Sequence, residues 1–163
     1  MKRILVVWHS RTGAARQMAA AAARGAESEP GTQVRLLEAD AAQAGDLLAA
    51  DGYIFAAPEN LAALSGAMKE FFDRNYYAVL DQLNGRPYGL LIAAGSDGQG
   101  AVRQAVRIAT GWRLKPIAEP LILITHAQTP EAILAAKSLD AAALAPCEEL
   151  GAALAAGLAM GVF

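Results

Sequence analysis

Ser10-Arg-Thr-Gly-Ala-Ala15 joins a short apolar run, Ile4–Trp8, to an alanine-rich stretch that begins at Ala14. Such a junction predicts a strand feeding a helix through a tight loop. Unpaired N–H groups and the helix dipole at a helix N-terminus favour an anion. Ser10 and Thr12 offer hydroxyl donors, and Gly13 lets the backbone approach a ligand closely. The loop is not a phosphate-binding GxxxxGK[ST] sequence, and G-x-G-x-x-G is absent as well. Taken alone, it fits a capped strand-to-helix turn without a ligand equally well.

Two further loops carry chemistry-bearing residues. Ala57-Pro-Glu-Asn-Leu-Ala-Ala-Leu-Ser-Gly66 runs into Ala67-Met-Lys-Glu-Phe-Phe-Asp-Arg74, and Ala94-Gly-Ser-Asp-Gly98 precedes Gln99-Gly100. Pro58 is expected to end its strand and leave irregular chain up to a helix that Ser65 caps. Asp97 before Gly98 reads first as a turn or cap residue.

The elements that must position these loops follow from the apolar runs. Ile4–Trp8, Val34–Leu37, Tyr53–Ala57, Tyr88–Ala94 and Leu121–Thr125 are continuous rather than alternating, the pattern of parallel strands covered on both faces. Helical stretches lie between them, at about 14–26, 41–50, 65–80 and 99–110. A last helix follows Thr129-Pro-Glu and carries Leu150, Leu154 and Leu158 on one stripe. Asp40-Ala-Ala-Gln43 has the spacing of a capping box for the second helix. Strands and helices in alternation imply an α/β doubly wound sheet that binds ligands beyond the carboxyl ends of its strands. Residues 1–163 read as a single domain of this kind.

Composition narrows the function. With 55% hydrophobic and 18% charged residues the chain has a core to bury, and a net charge of −2 leaves no basic footprint for nucleic acid or a membrane surface. Cys147 stands alone, so no internal disulfide forms, and it reads as a small buried hydrophobe. His9 and His126 lack the paired carboxylates of a catalytic metal site. His9 reads as a partly buried turn residue, and His126 ends the fifth strand at the ligand-bearing edge. Met68, Phe71 and Phe72 read as helix-to-sheet packing, and Tyr76 and Tyr77 lie beyond that stripe. No signal-peptide core or membrane-spanning run is evident, so a cytoplasmic protein is expected.

The first loop combined with Pro58…Ser65-Gly-x-Met-Lys-x-Phe-x-Asp-Arg74 resembles the flavodoxin-like FMN-binding family. It is most similar to the short NAD(P)H-dependent FMN and quinone oxidoreductases, from Arg3 to about Leu123. The resemblance implies a flavodoxin-like five-stranded parallel sheet of order 2-1-3-4-5. It also implies FMN as cofactor and NAD(P)H as co-substrate. Carried over residue by residue, the phosphate loop falls on Ser10, Arg11, Thr12, Gly13, Ala14 and Ala15. The flavin-ring loops fall on Pro58, Glu59, Asn60 and Leu61, and on Gly95, Ser96, Asp97 and Gly98.

Two positions depart from the family pattern. Ala14 and Ala15 stand where relatives often have Asn and Thr, so a hydroxyl donor to phosphate is lost, and one such donor contributes roughly 0.5–1.5 kcal/mol. No aromatic residue lies between Glu59 and Leu64 to cover the flavin. An open aliphatic face suits a second planar molecule, so the resemblance implies two-electron transfer from NAD(P)H to a quinone or similar small acceptor. The flavin carries the chemistry, and no side chain is assigned a catalytic role. A flavodoxin-type electron carrier serving a protein partner, and a flavin-free binding module on the same fold, are the alternatives. Family habit implies a homodimer or homotetramer.

Overall fold

A computed structural model describes the chain from Met1 to Phe163. The first half contains β1 (Lys2–Trp8), α1 (Ala14–Glu27), β2 (Thr32–Glu38), α2 (Ala44–Ala49), β3 (Gly52–Asn60), β4 (Ala63–Leu64) and α3 (Gly66–Val79). The second contains β5 (Pro87–Ala94), α4 (Gln99–Gly111), β6 (Lys115–Pro116), β7 (Leu121–Ile124), α5 (Pro130–Leu134) and α6 (Ala141–Met160).

The sheet runs β2-β1-β3-β5, with β6 and β7 both on the outer edge of β5. These last two behave as one interrupted edge strand, broken where Pro116 and Pro120 remove ladder donors. Counted by the five long strands, this is the expected order 2-1-3-4-5 of a flavodoxin-like fold. All long-strand pairs are parallel, and only the short β4 runs antiparallel, to β3.

The central strands are buried on both faces, and the two faces are chemically different. Leu5, Val7, Tyr53, Phe55 and Ile92 point towards an aromatic core with Phe71, Phe72 and Trp112. Trp112 is completely buried, stacks on Tyr76 at 5.8 Å between ring centroids, and donates its indole N–H to the Tyr76 carbonyl at 3.1 Å. Ile4, Val6, Ile54, Ala56 and Leu91 point instead towards α1 and α6.

On that second face alanine dominates, and two helices come close together. A Cβ on Gly151 would lie 1.9 Å from the Ala22 carbonyl oxygen, and one on Gly25 would lie 1.9 Å from that of Glu148. Leu150, Leu154 and Leu158 lie buried on α6, as their spacing predicts. By length and composition α6 is apolar enough to cross a membrane. Here its apolar stripe is occupied by α1 and the sheet.

Three local expectations are corrected. Pro58 does not end its strand: β3 continues to Asn60 and turns back through Leu61 and Ala62 into β4. Pairing with β1 stops at Ala56, so the missing N–H of Pro58 costs no ladder bond there. The second helix starts three residues later than the Asp40 capping box implies, with Gln43 as cap and the Asp46 carboxylate accepting the Gln43 N–H at 2.9 Å. Arg74 holds the preceding turn by donating to the carbonyls of Ala39 and Ala42. The segment after Pro130 forms two helices, with Asp140 accepting from the Ala143 N–H at 2.8 Å to start the second.

Replacing Gly151 with Ala should force α1 and α6 apart and cost about 1–3 kcal/mol, read as a lower urea midpoint at unchanged m-value. An unchanged midpoint would show that the close approach carries no stability.

Candidate functional site

The first loop leaves β1 at Trp8, and His9 donates its N–H to the Ala56 carbonyl at 3.0 Å. Ser10 Oγ accepts the Gly13 N–H at 3.0 Å, and Gly13 takes a left-handed φ of 104° that steers the chain into α1. The N–H groups of Thr12, Ala14 and Ala15 find no acceptor in the protein. The methyl groups of Ala14 and Ala15 are buried in the α1 core. Arg11 is exposed and enters no ion pair.

A distant segment is laced onto this loop. Lys137 donates its N–H to the Thr12 carbonyl at 2.7 Å, and its ammonium lies 3.3 Å from Thr12 Oγ1. Gln17 donates to the carbonyls of Gly13 and Lys137, while its own oxygen accepts the Leu139 N–H at 3.0 Å.

The second and third loops form a single rim. Glu59 reaches across from β3, and its carboxylate accepts the N–H groups of Gly98 at 2.9 Å and Ala101 at 3.1 Å. It therefore caps α4 from another strand, at the helix end where the dipole favours a negative charge. Leu64 N–H donates to Gln104 Oε1 at 2.6 Å, and a Cβ on Gly100 would lie 1.9 Å from the Ala62 carbonyl oxygen. Leu61 and Ala62 form the tip of the hairpin with left-handed φ values of 52° and 62°, and Leu61 is fully exposed. Ser96 and Asp97 are exposed at the rim. The adjoining Gly95 carbonyl accepts from His126 N–H and from Gln128 Nε2.

His9 joins the first loop to the second. Its Nδ1 lies 2.8 Å from Ser65 Oγ, and Ser65 is wholly buried at the start of α3. This contact takes up the Ser65 hydroxyl, which makes no helix-capping bond. Burial, aided by the Arg11 charge, holds His9 below the ordinary imidazole range, while Glu38 and Asp40 oppose that shift.

The model of the NADPH-dependent FMN reductase family matches residues 38–129, more than half of the chain. The chain belongs to that family. It is a flavodoxin-like, FMN-binding family, and its matched region contains both rim loops. A flavodoxin from Aquifex aeolicus strain VF5 is 44% identical over 73 residues, which make up 45% of this chain and 40% of that protein. The match thus spans less than half the length of that curated relative. An archaeal flavodoxin superposes with a TM-score of 0.79 at 18% identity, over 96% of this chain and 99% of its own. A WrbA-like flavodoxin from Agrobacterium tumefaciens gives 0.72 at 21% identity, over 98% and 99%. At those identities the likeness is one of fold.

The donor set fits the phosphate of FMN. The acceptor-free N–H groups of Thr12, Ala14 and Ala15, the Thr12 hydroxyl and the Lys137 ammonium lie on or beside the first loop of this family member. The residues expected from sequence lie on the loops of one sheet edge, from Ser10–Ala15 through Pro58–Leu61 to Gly95–Gly98. One of them has another immediate duty, and the cap expected of Asp97 is absent. Glu59 spends its carboxylate on α4, and Asp97 does not cap that helix, whose first residue is preceded by Gly98 with a φ of 87°. Sequence reasoning missed Gln17, Lys137 and the contact from Ser65 to His9. Lys137 is 125 residues from Thr12, and no local pattern marks it.

Two outcomes follow. Replacing Glu59 with Ala should leave the α4 N-terminus uncapped and cost about 0.5–2 kcal/mol in urea unfolding; no loss would show that the carboxylate does not hold the rim. His9 is harder to protonate folded than unfolded, so stability should be full above its ordinary pKa of 6.5 and fall as pH drops through that value. Replacing His9 with Asn should flatten that part of the profile. A profile identical in wild type and variant would remove His9 from the account.

Proposed function

We propose that the protein is an FMN-dependent oxidoreductase that moves two electrons from NAD(P)H to a quinone or a similar small acceptor. One observation carries this reading: the rim is open and carries no aromatic side chain. Pro58–Leu64 and Gly95–Gly98 contain no aromatic residue, the aromatic side chains Phe55, Phe71, Phe72 and Trp112 are buried in the core, and Leu61 projects fully into solvent. The hydrogen bond that Gly98 N–H donates to the Glu59 carboxylate draws the two ring loops together, so they form one ledge rather than opposing jaws. That ledge would leave one face of a bound flavin available to nicotinamide or quinone.

The chain's own contribution is placement and electrostatics. The N–H groups of Thr12, Ala14 and Ala15 would hold the phosphate of FMN at the positive end of α1. The backbone of Ser96 and Asp97 presents N–H donors, without acceptors in the protein, to the ring edge where negative charge gathers on reduction. Bound FMN supplies hydride acceptance and return, so no nucleophile–base pair is required. The reading places the protein where NAD(P)H and its acceptor meet, in the cytoplasm.

A flavodoxin-type carrier is the second reading, favoured by the 44% identical segment shared with the Aquifex flavodoxin. Anaerobic reduction separates the two. The FMN-loaded protein should oxidise NADH or NADPH with a quinone as acceptor and pass directly between oxidised and fully reduced spectra. A stable one-electron stage with negligible nicotinamide oxidation would overturn the oxidoreductase reading in favour of the carrier.

A further inference from the structure

We infer that Lys137 recognises the cofactor phosphate and selects FMN over unphosphorylated flavin, replacing the side-chain donors that Ala14 and Ala15 lack. This rests on the FMN reading above.

The backbone of Lys137 is fixed against the first loop from both sides. Its N–H donates to the Thr12 carbonyl at 2.7 Å, and its carbonyl accepts from Gln17 Nε2 at 2.8 Å, the same nitrogen that donates to Gly13. Gln17 then accepts from Leu139 N–H. A side chain on the first turn of α1 thus pins the Lys137 segment beside the loop whose amides lack acceptors.

The ammonium itself has only neutral partners. It donates to the carbonyls of Ala132 at 2.8 Å, Ile133 at 3.1 Å and Ala135 at 2.6 Å, and its longest contact is to Thr12 Oγ1 at 3.3 Å. It takes part in no salt bridge. Four acceptors compete for three protons, so the weakest contact, the one facing the loop, is the one an incoming anion displaces.

Capping the carbonyls of α5 is the plainer role for this lysine. That helix has five residues and buries none of them. Its cap alone does not account for a half-buried lysine whose backbone Gln17 and Thr12 tie to the first loop. Charge-assisted bonds to phosphate are about twice as strong as neutral ones, so one ammonium offsets the loss of the side-chain donors at positions 14 and 15. A flavin without phosphate gains nothing from it. The result is selectivity rather than general flavin affinity.

Binding of FMN and of riboflavin to the apoprotein, followed by flavin fluorescence quenching, tests this without turnover. Lys137→Gln keeps a donor for α5 but removes the charge, and Lys137→Arg keeps both. Lys137→Gln should weaken FMN binding about tenfold or more, leave riboflavin within about twofold, and flatten the salt dependence of FMN binding. Lys137→Arg should recover most of the FMN affinity. Equal weakening of both flavins, or unchanged FMN binding, would reduce Lys137 to a structural tie and leave the FMN reading standing. If wild-type protein binds neither flavin, both fall together.

Discussion

Because β1, β2, β3, β5 and β7 run parallel, each must be re-entered after a crossover, and every long strand ends at the same edge of the sheet. The helices that follow begin there too, with first-turn N–H groups that have no partner within the helix. The chain leaves β1 for β2 on one side and then crosses to β3 on the other, so the loops after β1 and β3 flank the point where the winding reverses. Ser10–Ala15 and Pro58–Leu64 are those loops. The hydrogen bond from His9 to Ser65 spans the gap between them, and Glu59 extends the rim to the loop after β5. Ligand donors and rim contacts are thus products of one pairing rule.

The two faces of the sheet shape this edge differently. Bulky rings fill one face and fix α3 and α4, which carry the ledge. Small residues fill the other and let α1 and α6 approach until glycine is the only residue tolerated at Gly25 and Gly151. Ala14 and Ala15 belong to that second packing pattern, with their methyl groups buried among the alanines of α1. Their backbone N–H groups remain free for an anion. A hydroxyl that relatives place in the loop has here given way to a packing residue, and the neighbouring cation comes from Lys137.

Fold and strand order were legible because buried parallel strands leave unbroken apolar runs, and five such runs are present at domain spacing. The loops were legible because they follow those runs directly. Pro58 misled, since the ladder to β1 has already ended at Ala56 and the proline's missing N–H is not needed on that side, while the pairing with β5 runs on to Pro58. The break between α5 and α6 was hidden by a uniformly alanine-rich sequence, in which Asp140 is a weak signal among helix formers. Glu59 carries no local mark of its capping role, because its partners lie 39 and 42 residues ahead. Lys137 was invisible for the same reason, since only the closed fold brings it to Thr12.

The central claim is that this edge holds FMN by its phosphate. Its most direct test is the visible absorbance of the purified protein after mixing with excess FMN and desalting, with riboflavin carried through in parallel. The account predicts that flavin absorbance elutes with the protein after FMN and not after riboflavin. A colourless protein in both cases would contradict it.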